Sequence, residues 1–245
     1  DLSGASNVYV TDGSVDVSDA SYLADLERGL QSDDADADVS FNVQDTAAAI
    51  VSELAETNPS IDAADEFSVS FGVTDISGAQ SIQGHSGYND ANSAYDISDS
   101  ASAIINNASN VYDDGVDDVF VTNGSVGASD GVSLTTIANQ KIATDGTTSE
   151  IQFTVADDAQ SIADALIGSG GALNGASEVE ITGGTIDYNE AVAVQNIVGY
   201  DTADSYYNIS DSAGAILGAS GDVLGYQGVQ EVIANDVNSA ADALQ

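Results

Sequence analysis

The sequence predicts an α/β protein, an elongated repeat solenoid with a parallel β-sheet, short helices and about 28 residues per coil. Three observations lead there. The phrase YDISDSASAII at 95–105 returns as YNISDSAGAIL at 207–217, 112 positions later (207 − 95). The segments VSFNVQDTAAAIVSEL from Val39 and IQFTVADDAQSIADAL from Ile151 repeat its order of residue types, and the shared aspartates Asp45, Asp99, Asp157 and Asp211 are spaced by 54, 58 and 54 residues. A second phrase lies between copies of the first, so the chain alternates B-A-B-A-B-A-B-A-B.

Along the chain, B comes first, as NVYVTDGSVDVSDASYLADL from Asn7. Val8 and Val10 alternate with polar residues, which predicts a short strand, and apolar residues at helical spacing follow. The A phrase from Val39 repeats the grammar, with Ala47, Ile50, Val51 and Leu54 forming one helical face. Pro59 ends that helix. A worn B begins at Phe67, A returns at Tyr95, and B returns as DVFVTNGSVGASDGVSLTTI from Asp118. The A phrase from Ile151 places Ala159, Ile162, Ala163 and Leu166 on one helical face. B follows from Glu178, A from Tyr207, and a shortened B from Gln230. Each A-phrase aspartate stands where a helix N-cap belongs, so Asp99 and Asp211 are expected to start helices.

Strands joined by helical crossovers run parallel. The chief rival fold is a compact doubly wound sheet with helices on both faces. Identical phrases favour the solenoid, because a stacked coil meets the same neighbours at every turn. Residues 1–245 therefore read as one continuous domain, with a possible hinge in GHSGYNDANSA at 84–94.

The chain has 41 acidic residues against Arg28 and Lys141, a net charge of −39. That balance excludes nucleic acid and anionic membrane surfaces as partners, since both need Lys and Arg. So large a charge repels itself in dilute salt, so the fold is expected in a salty or calcium-containing extracellular medium, such as a cell surface. With no cysteine, the redox compartment is unmarked. No run of 18 apolar residues exists, so no membrane insertion is expected. No secretory signal stands at Asp1, so a processed form or a piece of something longer is expected.

The SDSA of 98–101 and 210–213 and the DTAAAI of 45–50 resemble the degenerate alternating repeats of very large secreted surface proteins of cyanobacteria and some proteobacteria. Each motif is short, though the resemblance spans nearly the whole chain. It implies a structural or adhesive role in surface layers, sheaths or extracellular fibres, and no catalytic residues.

Catalysis finds little purchase. His85 is the one histidine, in a Gly/Ser-rich turn, and reads as a surface residue. Acids are so abundant that a carboxylate pair carries no information, and GSGGALNG at 168–175 lacks the lysine of a phosphate loop. Calcium is the serious cofactor candidate. Asp33, Asp34, Asp36 and Asp38 form one cluster, and Asp113, Asp114, Asp117 and Asp118 another. Calcium takes six to eight oxygens in irregular geometry. The first run opens like a calcium loop but lacks its central Gly and closing Glu. The competing reading is a solvated acidic surface with loose counterions. Asn107, Asn123 and Asn208 head N-glycosylation patterns.

Neither end carries a polar capping repeat. The expected function is a non-enzymatic extracellular structural protein, a subunit of a filament or surface layer whose copies join head to tail. The alternatives are a fragment of a longer array and an adhesin segment that binds calcium or glycans.

Overall fold

The structure, a computed structural model, describes residues 7–32, 34–145, 150–169, 173–218 and 223–236. The strands are β1 (Asn7–Val15), β2 (Asp38–Asp45), β3 (Glu66–Val69), β4 (Val73–Thr74), β5 (Tyr95–Asp99), β6 (Val116–Val126), β7 (Ile151–Asp157), β8 (Glu178–Ile186), β9 (Tyr206–Asp211) and β10 (Val229–Ala234). The helices are α1 (Val17–Gln31), α2 (Ala47–Leu54), α3 (Ile76–Gln83), α4 (Ala101–Asn106), α5 (Ala108–Val111), α6 (Ala128–Asp145), α7 (Ala159–Ser169), α8 (Tyr188–Gln195) and α9 (Ala213–Gly218). The chain divides into two compact units. The first is Asp1–Asp99, Asn106–Phe120 and Lys141–Glu150, and the second is Ser100–Ile105, Val121–Gln140 and Ile151–Gln245.

The strands are ordered as they occur in the chain, β1-β2-β3 in one sheet and β4 through β10 in the other. The pairings β1–β2, β2–β3, β4–β5, β7–β8, β8–β9 and β9–β10 are all parallel. The α/β class with parallel sheets and short helices is therefore as expected. Burial alternates along the strands. Val39, Phe41 and Val43 of β2 are buried while Ser40 and Asn42 are not, and Ile151, Phe153 and Val155 of β7 are buried while Gln152 and Thr154 are not. One covered face per strand is what alternation gives, whereas a sheet buried on both faces reads as a continuous apolar run. The helices supply Ala47, Ile50 and Ile82 to the core of unit 1, and Ala159, Ile162 and Val194 to that of unit 2.

The twin phrases hold twin networks. Tyr95 and Tyr207 are each 1% exposed. Gln83 Nε2 donates to Tyr95 Oη at 2.8 Å, and Gln195 Nε2, 112 residues on (195 − 83), donates to Tyr207 Oη at 2.9 Å. Ser93 Oγ accepts from Val69 N–H and Ser205 Oγ from Ile181 N–H, both at 2.9 Å. Phe67 bridges Tyr88 in one unit as Val179 bridges Tyr200 in the other, both parallel. Like sequences thus make matching bonds in the two units. The segment 84–94 takes part in this, since Phe67 N–H donates to Gly87 O and Asn89 N–H to Phe67 O, both at 2.8 Å.

Helix starts differ from the expectation in one informative way. The A-phrase aspartates do not cap their own helices. Thr46, Ser100, Asp158 and Ser212, one position later, accept from Ala49, Ala103, Ser161 and Ala215 N–H. The aspartates instead reach back to the first N–H of the preceding helix. Asp45 Oδ2 accepts from Val17 at 3.1 Å, Asp99 Oδ2 from Ile76 at 3.1 Å, Asp157 Oδ2 from Ala128 at 2.9 Å and Asp211 Oδ2 from Tyr188 at 3.2 Å. Residues of the B phrases reach back too. Phe71 O accepts from Ala47 N–H at 3.0 Å, Asn123 Oδ1 from Ala101 N–H at 2.8 Å and Asp236 Oδ1 from Ala213 N–H at 2.6 Å. The register of β8 shifts between Thr182 and Thr185, where Gly184 has φ +97°; a Cβ there would stand 3.2 Å from Ala159 N. Glycine permits both the left-handed turn and that close approach. The starts of α1, α2, α3, α4, α8 and α9 thus each have two partners, a local cap and a residue farther along the chain.

Candidate functional site

Of the first acidic cluster, Asp33 lies outside the described residues. Asp34, Asp36 and Asp38 are exposed, and Asp34 Oδ1 accepts from Asp36 N–H at 3.2 Å, a local turn.

The second cluster closes the turn into β6. Asp113 Oδ1 accepts from Tyr88 Oη at 2.6 Å and from Gly115 N–H at 3.0 Å. Asp118 Oδ1 accepts from Glu150 N–H at 3.0 Å, while Asp118 N–H donates to Asp96 Oδ1 at 3.1 Å. Asp114 is exposed. Burial pushes the Asp113 carboxyl above the usual carboxylate range, against the lowering pull of its bonds from Tyr88 and Gly115. Burial, then the charges of Asp96 and Asp118, push Asp117 up as well, and Lys141 opposes them. Lys141 is 1% exposed, and its Nζ donates to Asp113 O at 3.4 Å. Arg28, by contrast, forms an exposed ion pair with Asp25 one helical turn away, which contributes little.

Among the described residues, no group of three or more carboxylate, histidine or cysteine side chains is placed to hold a metal ion. The carboxylates of Asp113 and Asp118 are engaged by backbone N–H groups and a phenol. Sequence reading missed this use, because Tyr88 and Asp113 stand 25 residues apart in the chain.

His85 is more enclosed than a surface turn residue, with 20% of its side chain exposed. Its Nδ1 accepts from Gly87 N–H at 3.1 Å, which leaves Nε2–H to donate to Asp62 Oδ1 at 2.9 Å. The ring also meets Phe67 edge-on at 5.2 Å. Of the glycosylation candidates, Asn107 Oδ1 accepts from Gln80, Asn123 Oδ1 caps α4, and Asn208 lies within β9.

The outer face of the first sheet is a polar lattice. Asn42 Nδ2 donates to Glu66 Oε1 at 3.4 Å, Asn89 Nδ2 to Glu66 Oε2 at 2.9 Å and Gln44 Nε2 to Ser68 Oγ at 3.2 Å. A cleft of about 430 Å³ opens over it.

Among the described residues, four strands stand at sheet edges, β1 and β3 in one sheet and β4 and β10 in the other, so that β1 pairs with β2 alone and β10 with β9 alone. Val8 and Val10, and Val229 and Val232, are half-buried, unlike Val39, Phe41, Tyr207 and Ile209 on the adjoining strands. Ile233 and Leu217 are exposed at 38% and 82%. No helix among the described residues is long and apolar enough to cross a membrane. No protein-family model matches the chain, nor does any curated protein or any solved structure.

Proposed function

We propose that this chain is a non-enzymatic structural protein of the extracellular space. Its coils of about 28 residues stack as an elongated solenoid, and its copies join head to tail through β1 and β10 into a filament or surface layer. The observation that carries the reading is the recurring reach from one coil to the first N–H of the helix before it, seen at Asp45, Asp99, Asp157 and Asp211. Side chains that elsewhere would face a substrate here hold neighbouring coils in register. Such a design extends without limit, and unpaired strand edges with half-buried valines are where it extends. The net charge of −39 sets the condition: copies meet when salt or divalent cations screen them.

Light scattering of the full chain from about 0.1 to 1 M NaCl tests the reading, with particle mass growing with protein and salt concentration. A chain that stays monomeric throughout refutes it. Introduced cysteines then read the joint, since the chain has none of its own. Neighbouring strands lie about 4.8 Å apart, within disulfide reach. Tyr9→Cys with Ile233→Cys reports β1 added beside β10. Crosslinking of Tyr9→Cys with Ser210→Cys instead, Ser210 being the registered partner of Ile233, would overturn joining at the β10 edge.

A further inference from the structure

We infer that the cleft on the outer face of the first sheet is a binding subsite for a neutral oligosaccharide. It is lined by Thr11 and Ser14 of β1, Asn42 and Gln44 of β2, and Glu66 and Ser68 of β3, and at about 430 Å³ it falls in the size range of small-molecule sites. The lining decides the ligand class. Hydroxyls and carboxamides dominate, so an apolar ligand would strand them without partners. Glu66 and a chain of net charge −39 repel anions. An uncharged polyol matches such a wall, because each hydroxyl both donates and accepts.

The wall is also pre-set. Glu66 takes one donor from Asn42 and one from Asn89, and Ser68 takes a donor from Gln44. Those bonds fix the carboxamides and leave Asn42 Oδ1 and Gln44 Oε1 to accept from sugar hydroxyls. Groups held in place before binding lose less freedom on binding. Tyr9 completes the arrangement. Its registered partner is Ser40, between buried Val39 and Phe41, so Tyr9 stands on the same outer face, two residues along the partner strand from Asn42. It is 65% exposed, a flat ring on that face against which the C–H face of a pyranose can pack. This subsite does not depend on how copies assemble.

The test is titration calorimetry of the full chain in about 0.5 M NaCl, which screens long-range charge. Cellohexaose, laminarihexaose and maltohexaose serve as neutral probes and oligogalacturonate as an anionic one. At least one neutral hexaose is expected to bind, and oligogalacturonate is not. Asn42→Ala and Tyr9→Ala should each weaken binding about tenfold, the loss of one good contact. Tyr22→Ala, on α1 and 73% exposed, should leave it unchanged. Circular dichroism confirms folding, and Tyr9→Ala, at an exposed position, keeps the test decisive if Asn42→Ala unfolds. Failure of all three neutral probes overturns the inference, as does binding that survives Tyr9→Ala or that prefers the anionic probe.

Discussion

Replacing Asp157 by alanine tests the cross-coil caps at one residue. Asp157 Oδ2 accepts from Ala128 N–H at 2.9 Å and Oδ1 from Asp158 N–H at 2.8 Å. Loss of a capping acceptor typically costs about 1 kcal/mol, and loss of a negative charge at a helix start adds about 0.3–1 kcal/mol. The second N–H, left without its partner, adds about 1 kcal/mol. The total is about 2–3 kcal/mol. With a urea m-value of about 1–3 kcal/mol/M, the unfolding midpoint should fall by about 1 M. Asp157→Asn, which keeps an acceptor and loses the charge, should cost about 1 kcal/mol. Asp114→Ala is the control, because Asp114 is exposed. In a chain of net charge −39, removing an exposed carboxylate relieves repulsion, so this variant should be neutral or slightly more stable. The expected effects therefore differ in sign, not only in size. Circular dichroism in urea at pH 7 reads both. An Asp157→Ala chain as stable as Asp114→Ala would show that the caps are incidental geometry.

Gln83→Ala and Gln195→Ala should lower the urea midpoint equally, each by about 1–2 kcal/mol, since each leaves a buried tyrosine hydroxyl without its glutamine; unequal losses would mean that the twin coils are not energetically equivalent. Burial raises the Asp113 carboxyl, so the folded chain holds that proton more tightly than the unfolded chain does. Its charge therefore costs stability above the folded value, and the cost fades as pH falls through that value toward about 4. Asp113→Asn should raise the midpoint at pH 7 and give a smaller benefit with acidification, read by urea unfolding across that range. Calcium and magnesium should raise the melting temperature alike at equal concentration, acting as counterions to the net charge of −39; a sub-millimolar response to calcium alone, reversed by a chelator, would place a specific site at the Asp113–Asp118 turn.

The sequence by itself determined the parallel α/β class and the order of its elements. Strand and helix are written in the periodicity of apolar residues, as at Val39, Phe41 and Val43 and then Ala47 and Ile50. The twin phrases at 95 and 207 announced equal environments, and the Gln83–Tyr95 and Gln195–Tyr207 pairs realise them. Only the tertiary structure decided which helix each aspartate serves. A carboxylate two residues before a helix fits the sequence pattern of a local cap, yet Asp99 and Asp211 end strands, and their Oδ2 atoms lie against the helix starts of Ile76 and Tyr188. Sequence spacing describes neighbours along the chain, whereas this bond joins residues 23 positions apart that stacking brings side by side. The acidic clusters show the same limit. Their composition fits calcium or bare solvent, and the phenol of Tyr88 beside Asp113 becomes visible only in the folded structure.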